Sequence, residues 1–435
     1  MSVLEVRGGR PLKGRVRVPG DKSISHRALL LAALAEGTSL VTGLADGDDV
    51  ARTAGALRLL GAGVDLAAPG GGGAGGATAT VSGGRDRLHE HAVALDLGNS
   101  GTGLRLLAGV CASLPWTTTL TGDESLSRRP MDRVAVPLRL MGAHVEGTGD
   151  DLCPPLTVRG GGLRGIEYEL PVPSAQVKGA VLLAGLGAEG DTVVREHVVT
   201  RAHTEELLAA VGADVVVSAD RLETRVRASK LEPFRLDVPG DPSQAAFWVV
   251  AACITPGSDV VVEHVYVGQA RADFLDVLRR MGAPVDVAIG ADGTADIHAR
   301  YGPLRGTHVG GAEVPGLIDE IPALAVAAAV AEGVTTFADA GELRVKETDR
   351  VAALAHGLAG LGVHAEERPD GLVVAGGASL GAGAVHSHGD HRIAMAMAVA
   401  GMALPDGGGP VRIDGWESVD TSYPGFEADL RLLCR

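Results

Sequence analysis

The stretch PGDKSISHRALLLAALAEGTSLV, Pro19–Val41, opens on a polar turn, runs into an Ala/Leu helix and ends in a small-residue turn and a strand. The same order returns five times, as LDLGNSGTGLRLLAGVCASL, PVPSAQVKGAVLLAGLGAEGDTVV, VPGDPSQAAFWVVAACITPGSDVVV, VPGLIDEIPALAVAAAVAEGVTTF and HSHGDHRIAMAMAVAGMAL. Anchored on Asp21, Asn99, Ser174, Asp241, Asp319 and Asp390, the copies recur every 67 to 78 residues. A second pattern, a helix end, a glycine and a strand, falls between them: LRLLGAGVD, LRLMGAHVE, LLAAVGADV, LRRMGAPVD and GLAGLGVHAE. Its glycines, Gly61, Gly142, Gly212, Gly282 and Gly362, suit helix C-caps, where a left-handed residue is needed. The sixth copy of this pattern would fall at DLRLLCR.

Each repeat therefore reads as strand, helix, strand, helix, then one or two strands. Solenoid repeats run about 20–50 residues. Longer units are small folding modules, and six of them predict an α/β assembly grouped into two domains. PGGGGAGGATAT, Pro69–Thr80, reads as a flexible loop inside the first module rather than a domain linker.

Bulk properties narrow the function. A chain of 435 residues has ample core for two domains. Its net charge of −15 argues against nucleic acid or an acidic membrane surface as the main partner, though a local pocket can still be positive. Aromatics are 3%, too few for base-stacking platforms. The four cysteines form no CxxC pair and suit a reducing compartment. No signal peptide is read at the N-terminus, and the longest apolar run, IPALAVAAAVA, is too short to span a bilayer. A cytoplasmic monomer is expected.

The first helix of each module is apolar all round, so it should be buried with its polar residues confined to the first turn. Asp, Asn and Ser at these starts suit N-caps, and capping alone would account for any one of them. Several such ends together would instead favour phosphate or carboxylate, because free N–H groups and the helix dipole point at the same spot. Some starts carry more than a cap requires. DKSISHR adds Lys22, Ser23 and Arg27; GNSGTGLR supplies Asn99, Gly101 and Thr102; SLSRRPMDR puts Arg128, Arg129 and Arg133 on a loop. PSAQVKGA adds Ser174 and Gln176, and DHR adds Arg392. Of 39 Lys and Arg only five are lysines, and two of them, Lys22 and Lys346, sit in dense polar clusters. Lysine can donate a proton where arginine cannot, which suggests proton transfer or a point-charge role for both. Read as a helix start, VKETDR places Lys346 and Arg350 four apart on one face, an arrangement that needs an anion or carboxylate between them.

HSHGDH, His386–His391, has the HxHxDH spacing of zinc hydrolases. No histidine follows His391 and an apolar helix begins at once, so these residues are read as loop positions and a neighbour of Arg392.

Taken together, PGDKSISHRALLLAALAEG, LGNSGTGLRLL, SRRPMDR, PSAQVKGA, RAHTEELL, LIDEIPALAVAAA, RVKETDR, DHRIAMAMAVA and SYPGF resemble the enolpyruvyl transferase family, and within it the EPSP synthases. The resemblance runs in order over nearly the whole chain. It implies an inside-out α/β barrel of two similar domains, each of three βαβαββ units. Residues 20–239 would form one domain and residues 1–19 with 240–435 the other, with ligands in the cleft between them. It implies transfer of the enolpyruvyl group of phosphoenolpyruvate to the 5-hydroxyl of shikimate 3-phosphate, with release of phosphate and no metal, organic cofactor or protein nucleophile.

Carried onto this sequence, the resemblance places shikimate 3-phosphate at Lys22, Ser23, Arg27, Ser174, Ala175, Gln176, Arg201, Asp319 and Lys346. Phosphoenolpyruvate falls to Lys22, Asn99, Gly101, Thr102, Arg129, Gln176, Arg350 and Arg392. Asp319 is the expected base at the 5-hydroxyl, a role compatible with capping EIPALAVAAA. Glu347 is the expected acid toward the methylene carbon, assisted by Lys22, and Asp349 either steadies Arg350 or faces solvent. Some relatives carry a lysine in the C-terminal segment, where this chain has Thr421; that contact is put in doubt. Others carry alanine at Gly101, so inhibition by glyphosate is expected here and should weaken in Gly101→Ala. The nearest alternative, UDP-N-acetylglucosamine 1-carboxyvinyltransferase, usually has a cysteine before the Arg-Pro pair, and Thr121–Arg129 has none.

Overall fold

The computed structural model describes residues 2–67, 76–377 and 379–435. The chain forms two compact units, one of Gly20–Val238 and one of Met1–Pro19 with Pro239–Arg435.

Within Gly20–Val238 there are three four-stranded sheets of one topology. In the clearest, Leu95–Asp96 runs parallel to Thr117–Thr121, which pairs antiparallel with Cys153–Arg159, and His144–Thr148 takes the edge. The sheet built on Glu167–Glu169, Thr192–Arg195, Glu223–Val226 and Val215–Val217 repeats this order. The third sheet does too, but its first strand is Arg235–Asp237, which pairs with Gly37–Leu44 from far earlier in the chain (Arg235 opposite Leu40). The strand that precedes the first helix in sequence, Lys13–Arg17, is used elsewhere. It joins the other unit and pairs parallel with Asp259–Tyr266. The chain thus exchanges first strands where it passes from one unit to the other. In the second unit the sixth module also borrows. Gly383–His386 and Pro410–Asp414 pair in parallel, and Val3–Arg7 supplies the antiparallel neighbour. The DLRLL of DLRLLCR ends the helix Phe426–Leu433, the second helix of that module, and Cys434 is its C-cap.

The apolar first helices are the core. Every residue of Pro242–Ile254 and of His391–Met402 is buried, as are the first nine of Ile321–Val330, and these three helices pack against one another. A fully buried leucine or valine contributes roughly 1.5–3 kcal/mol, so stability resides in the helix bodies and the polar starts are available for chemistry. In the first unit Gly101–Ala112 lies against both Lys22–Leu34 and Ala175–Gly185. A Cβ on Gly109 would stand 2.2 Å from the Ala180 carbonyl, so only glycine permits that approach. Sheets cover the outside with one face wet, as in Ala77–Gly83, whose residues alternate between buried and more exposed. This is the helices-inside arrangement expected of an inside-out α/β barrel.

The five glycines of the second pattern all have positive φ, from 81° to 106°. Two local readings change. Pro69–Gly75 of the glycine-rich stretch lies outside the described residues, while Ala77–Thr80 is not loop but the start of the strand Ala77–Gly83. Asn99 is not the cap of its helix; Ser100 is, accepting from Gly103 N at 3.1 Å.

Candidate active site

In Gly20–Val238 three helix starts are tied together by their own side chains. Gln176, in the first turn of Ala175–Gly185, donates Nε2 to Thr102 Oγ1 at 2.9 Å, across to the first turn of Gly101–Ala112. Arg27 donates Nη2 to the Ala175 carbonyl at 3.1 Å and Nη1 to the Ser23 carbonyl at 3.0 Å. His26 joins Thr53 Oγ1 through Nδ1 at 2.8 Å and the capping Ser100 through Nε2 at 3.3 Å. Asp21, Ser100 and Ser174 each satisfy one amide of their helix, which leaves other first-turn amides for an anion.

The cations stand around these starts. Lys22 Nζ lies 2.8 Å from Asp49 Oδ2. The guanidinium of Arg129, itself buried, donates to Asn99 Oδ1, while Asn99 Nδ2 donates to Asp123 Oδ2 at 2.8 Å. Arg27 is 2% exposed, with Nε on Thr204 Oγ1 at 2.7 Å, so it braces the site from within. Arg201 is half-buried on the turn before the helix His203–Ala210. Two arginines of the expected loop stand apart. Arg128 is 71% exposed beside Glu124, and Arg133 is helical, within Asp132–Leu140.

His26 makes a testable statement about pH. Burial, followed by the charges of Lys22 and Arg27, pushes it down to about 3. As pH falls, the unfolded chain takes up this proton first, near the ordinary value of 6.5. Stability supplied by neutral His26 is therefore present above about pH 6.5 and is lost toward pH 3, by about 1.4 kcal/mol per pH unit. His26→Gln should flatten the dependence of denaturant-measured stability between those limits; an unchanged slope would refute this.

In the second unit the polar starts form a charge cluster. Arg350 is 1% exposed and donates Nε to Asp390 Oδ2 at 2.7 Å, Nη2 to Glu347 Oε2 at 2.6 Å and Nη1 to Asp319 Oδ1 at 3.3 Å. Lys346 Nζ lies 3.4 Å from the same Asp319 oxygen. Arg392 donates Nη1 to the Asp319 carbonyl at 3.0 Å. Burial alone would lower the Arg350 pKa, but Asp390, Glu347 and Asp319 outweigh it and hold it above the ordinary arginine range. Lys346, Arg350 and Arg392 thus meet Asp319, Glu347 and Asp390, three charges of each sign.

VKETDR is not a helix start. Val345 ends a 3-10 helix, Lys346 is extended, and the helix Arg350–Gly360 begins at Arg350 with Asp349 as its cap. Lys346 and Arg350 do not share a helix face; Asp319 brings them together. Asp349 accepts from Ala352 N at 3.1 Å and from Arg344 at 2.6 Å, which settles its role as a cap. Asp319 is not one. Glu320 occupies the cap position of Ile321–Val330 and makes no side-chain cap bond. The Asp319 carboxylate is left to the cluster.

In the histidine run, the rings of His386 and His388 are 4.9 Å apart, but Asp390 is engaged by Arg350 and by its own helix. Among the described residues no group of three or more His, Cys, Asp or Glu side chains is placed to hold a metal ion.

The EPSP synthase (3-phosphoshikimate 1-carboxyvinyltransferase) family model matches residues 6–430. The 3-phosphoshikimate 1-carboxyvinyltransferase of Alkalilimnicola ehrlichii is 49% identical over 427 residues, covering 97% of this chain and 93% of that protein. That of Halorhodospira halophila is 48% identical over 432 residues, covering 98% and 94%. The chain belongs to the EPSP synthase family. A solved EPSP synthase from Acinetobacter baumannii, 42% identical, superposes with a TM-score of 0.85 over 99% of this chain and 98% of that one. The enolpyruvyl transferase NikO from Streptomyces tendae, at 20% identity and a TM-score of 0.79, shares the fold.

Several residues of the clusters were not singled out from sequence. Arg105 donates to Gln176 Oε1 at 2.8 Å and to the Pro130 carbonyl at 3.2 Å, so it holds Gln176 from the opposite side to Thr102. Its signal was visible: a lone cation, four residues after Gly101, in an otherwise apolar helix. Asp49 and Arg271 gave no local signal. Arg271, buried, donates Nη1 to Ser243 Oγ and Glu320 Oε1, each at 2.9 Å, and so fixes the residue next to Asp319.

Proposed function

We propose that this chain transfers the enolpyruvyl group of phosphoenolpyruvate to the 5-hydroxyl of shikimate 3-phosphate, releasing phosphate. The observation that carries the reading is Asp319. It is a carboxylate freed from capping duty and set against Lys346 and Arg350, as a base between two anion-binding cations would be.

Each substrate brings a phosphate and a carboxylate. Ser23, Arg27, Ser174, Ala175, Gln176, Arg201 and Lys346 take the acceptor. Lys22, Asn99, Gly101, Thr102, Arg129, Gln176, Arg350 and Arg392 take the donor, and charge-assisted bonds of this kind are the strong ones. Asp319 removes the 5-hydroxyl proton as the oxygen attacks C2 of phosphoenolpyruvate. Glu347 delivers a proton to the methylene carbon, with Lys22 stabilising the adduct. Loss of phosphate and return of a methyl proton to Glu347 then restore the C=C bond, now in the enolpyruvyl ether. Glu347 rests against Arg350 at 2.6 Å. Arrival of the donor carboxylate at Arg350 competes for that guanidinium and releases Glu347 toward the donor. A cytoplasmic monomer belongs to the same proposal. No helix among the described residues is long and apolar enough to cross a membrane.

The test is phosphate release from phosphoenolpyruvate with shikimate 3-phosphate, with UDP-N-acetylglucosamine, or with neither. Release only with the sugar nucleotide would overturn the reading. That rival lacks a reactive thiol here: Cys111 is buried in the helix Gly101–Ala112, and burial pushes its thiol up to about 12. The C-terminal segment bearing Thr421 is anchored by Trp248, which stacks on Phe426 at 4.5 Å and donates to Tyr423 Oη at 2.9 Å.

Gly101 sets the room beside the donor. A Cβ there would stand 3.1 Å from Arg105 Nη1 and 3.2 Å from Arg129 Nη1, tighter than ordinary contact. Glyphosate, itself an anion, is expected to inhibit the wild type. Gly101→Ala should weaken that inhibition roughly 10–100-fold, from the ~1–3 kcal/mol that one carbon too many costs in a packed site. Equal inhibition constants for the two proteins would refute this.

A further inference from the structure

Lys178 takes no part in the reaction laid out above, yet it anchors a buried cluster beside the acceptor residues. It is 1% exposed, and its Nζ donates to Glu196 Oε2 and to Glu205 Oε1, each at 2.7 Å. Both glutamates are buried, at 6% and 5% exposure. The second oxygen of Glu196 accepts from Thr200 Oγ1. The second oxygen of Glu205 is buried and has no hydrogen-bond partner. One cation thus faces two carboxylates away from water. Such a cluster is weak evidence for stability, because replacing all of its members together by apolar side chains of similar volume is often neutral or stabilising. The helix around Lys178, VKGAVLLAG, is otherwise apolar.

What the cluster does provide is placement. Lys178 lies one turn beyond Ser174, Ala175 and Gln176 on the helix Ala175–Gly185. Glu205 belongs to the first turn of the helix His203–Ala210, and Thr200 immediately precedes Arg201. A second brace runs alongside, since Arg27 bonds both Thr204 Oγ1 and the Ala175 carbonyl. Arg201 is therefore held from both sides. The Thr200–Glu196–Lys178 chain leads back to the helix that carries Ser174–Gln176, and so does the Thr204–Arg27–Ala175 chain.

We propose that Lys178 is a positioning residue for the acceptor: through Glu196 and Glu205 it fixes Arg201 relative to the first turn Ser174–Gln176, so that both can hold the anionic groups of one acceptor molecule. The inference rests on the proposed assignment of those residues to shikimate 3-phosphate. A point charge suits the task, because a single ammonium reaches two carboxylates from different segments without the planar fork that arginine would impose.

Three variants test it in the full-length protein, each assayed for phosphate release with both substrates varied. Lys178→Met should raise KM for shikimate 3-phosphate about 10–100-fold, the range expected when a remote change misplaces a binding group. KM for phosphoenolpyruvate should rise far less, because of the residues positioned here only Gln176 also serves the donor, and Thr102 and Arg105 hold it independently. Thr200→Val leaves the ion cluster intact and cuts only its tie to the Arg201 turn, so it should raise the acceptor KM several-fold with kcat unchanged. Lys178→Arg should recover part of the loss in Lys178→Met. Parallel changes in both KM values, or an acceptor KM unchanged in Thr200→Val, would overturn the inference, and the Thr200 result decides even if Lys178→Met does not fold. Wild-type turnover with a normal acceptor KM in the variants defeats this inference alone. A wild type without shikimate 3-phosphate-dependent release defeats the functional reading and this inference with it.

Discussion

Asp319→Asn is expected to lower kcat by roughly 10²–10⁴-fold, the usual contribution of a positioned general base, while the protein stays folded. Asparagine keeps the shape of the side chain and an oxygen that can accept from Arg350 and face Lys346, contacts that Asp319 makes at 3.3 and 3.4 Å. It cannot accept the hydroxyl proton. The fold should tolerate the change because the helix Ile321–Val330 takes no cap from position 319, and because Arg392 holds the backbone carbonyl of that residue rather than its side chain. The two KM values should move far less than kcat, since the interaction removed is one made on the way to the transition state. Steady-state rates and an unfolding curve measured on the same preparation make the comparison. A kcat within about threefold of wild type, in a protein that melts normally, would remove Asp319 from the base position.

That prediction depends on something the sequence showed only in part. Asp319 was visible as a polar residue ahead of an apolar helix, and capping is the ordinary reason for such a residue. Cap status depends on the backbone of a single turn. Here Pro322 in the first turn and Glu320 at the cap position displace Asp319 outward by one residue. The same kind of error occurred at VKETDR. Spacing alone put Lys346 and Arg350 on a helix face, whereas the turn before Arg350 separates them and Asp319, ahead of the first helix of the same module, rejoins them. Local signals of backbone conformation read well, as Gly61, Gly142, Gly212, Gly282 and Gly362 show with their positive φ angles. Their requirement is set within one helix end and needs no partner.

Long-range pairing was the least legible. Nothing near Lys13–Arg17 says that it will pair with Asp259–Tyr266, or that Arg235–Asp237 will take the place beside Gly37–Leu44. A strand of three to five residues carries too little pattern to name its neighbour, and the choice is made by which helices it covers. The buried ionic partners are hidden for a related reason. Asp49, Glu205 and Arg271 look like surface charges in one dimension. Their function follows from segments far apart in sequence that packing brings to within 3 Å.

Arg350 is where these two levels meet, and Arg350→Met should be the most damaging single change in the second unit. Removing one member of a buried ion cluster typically costs about 3–5 kcal/mol, because the remaining charges keep their desolvation without compensation. Here three carboxylates are left, those of Asp390, Glu347 and Asp319, and Asp390 must also continue to cap His391–Met402. Arg350→Lys keeps the charge but cannot reach Asp390 and Glu347 in a fork, so it should recover only part of the stability and little of the turnover. The wild-type contribution should not vary with pH through Arg350 itself. Its pKa is raised, so the charge and the stability that depends on it are complete below the unfolded value and are lost only above the ordinary arginine range. Denaturant unfolding of the wild type and both variants, paired with turnover, separates the two roles. If Arg350→Met unfolds like wild type, the three carboxylates do not need the cation for the fold, and the cluster exists for ligands alone. If it loses stability as expected, the same guanidinium that would receive the donor carboxylate also holds Asp390, Glu347 and Asp319 together, and donor binding must then proceed by exchange of one carboxylate for another at that cation.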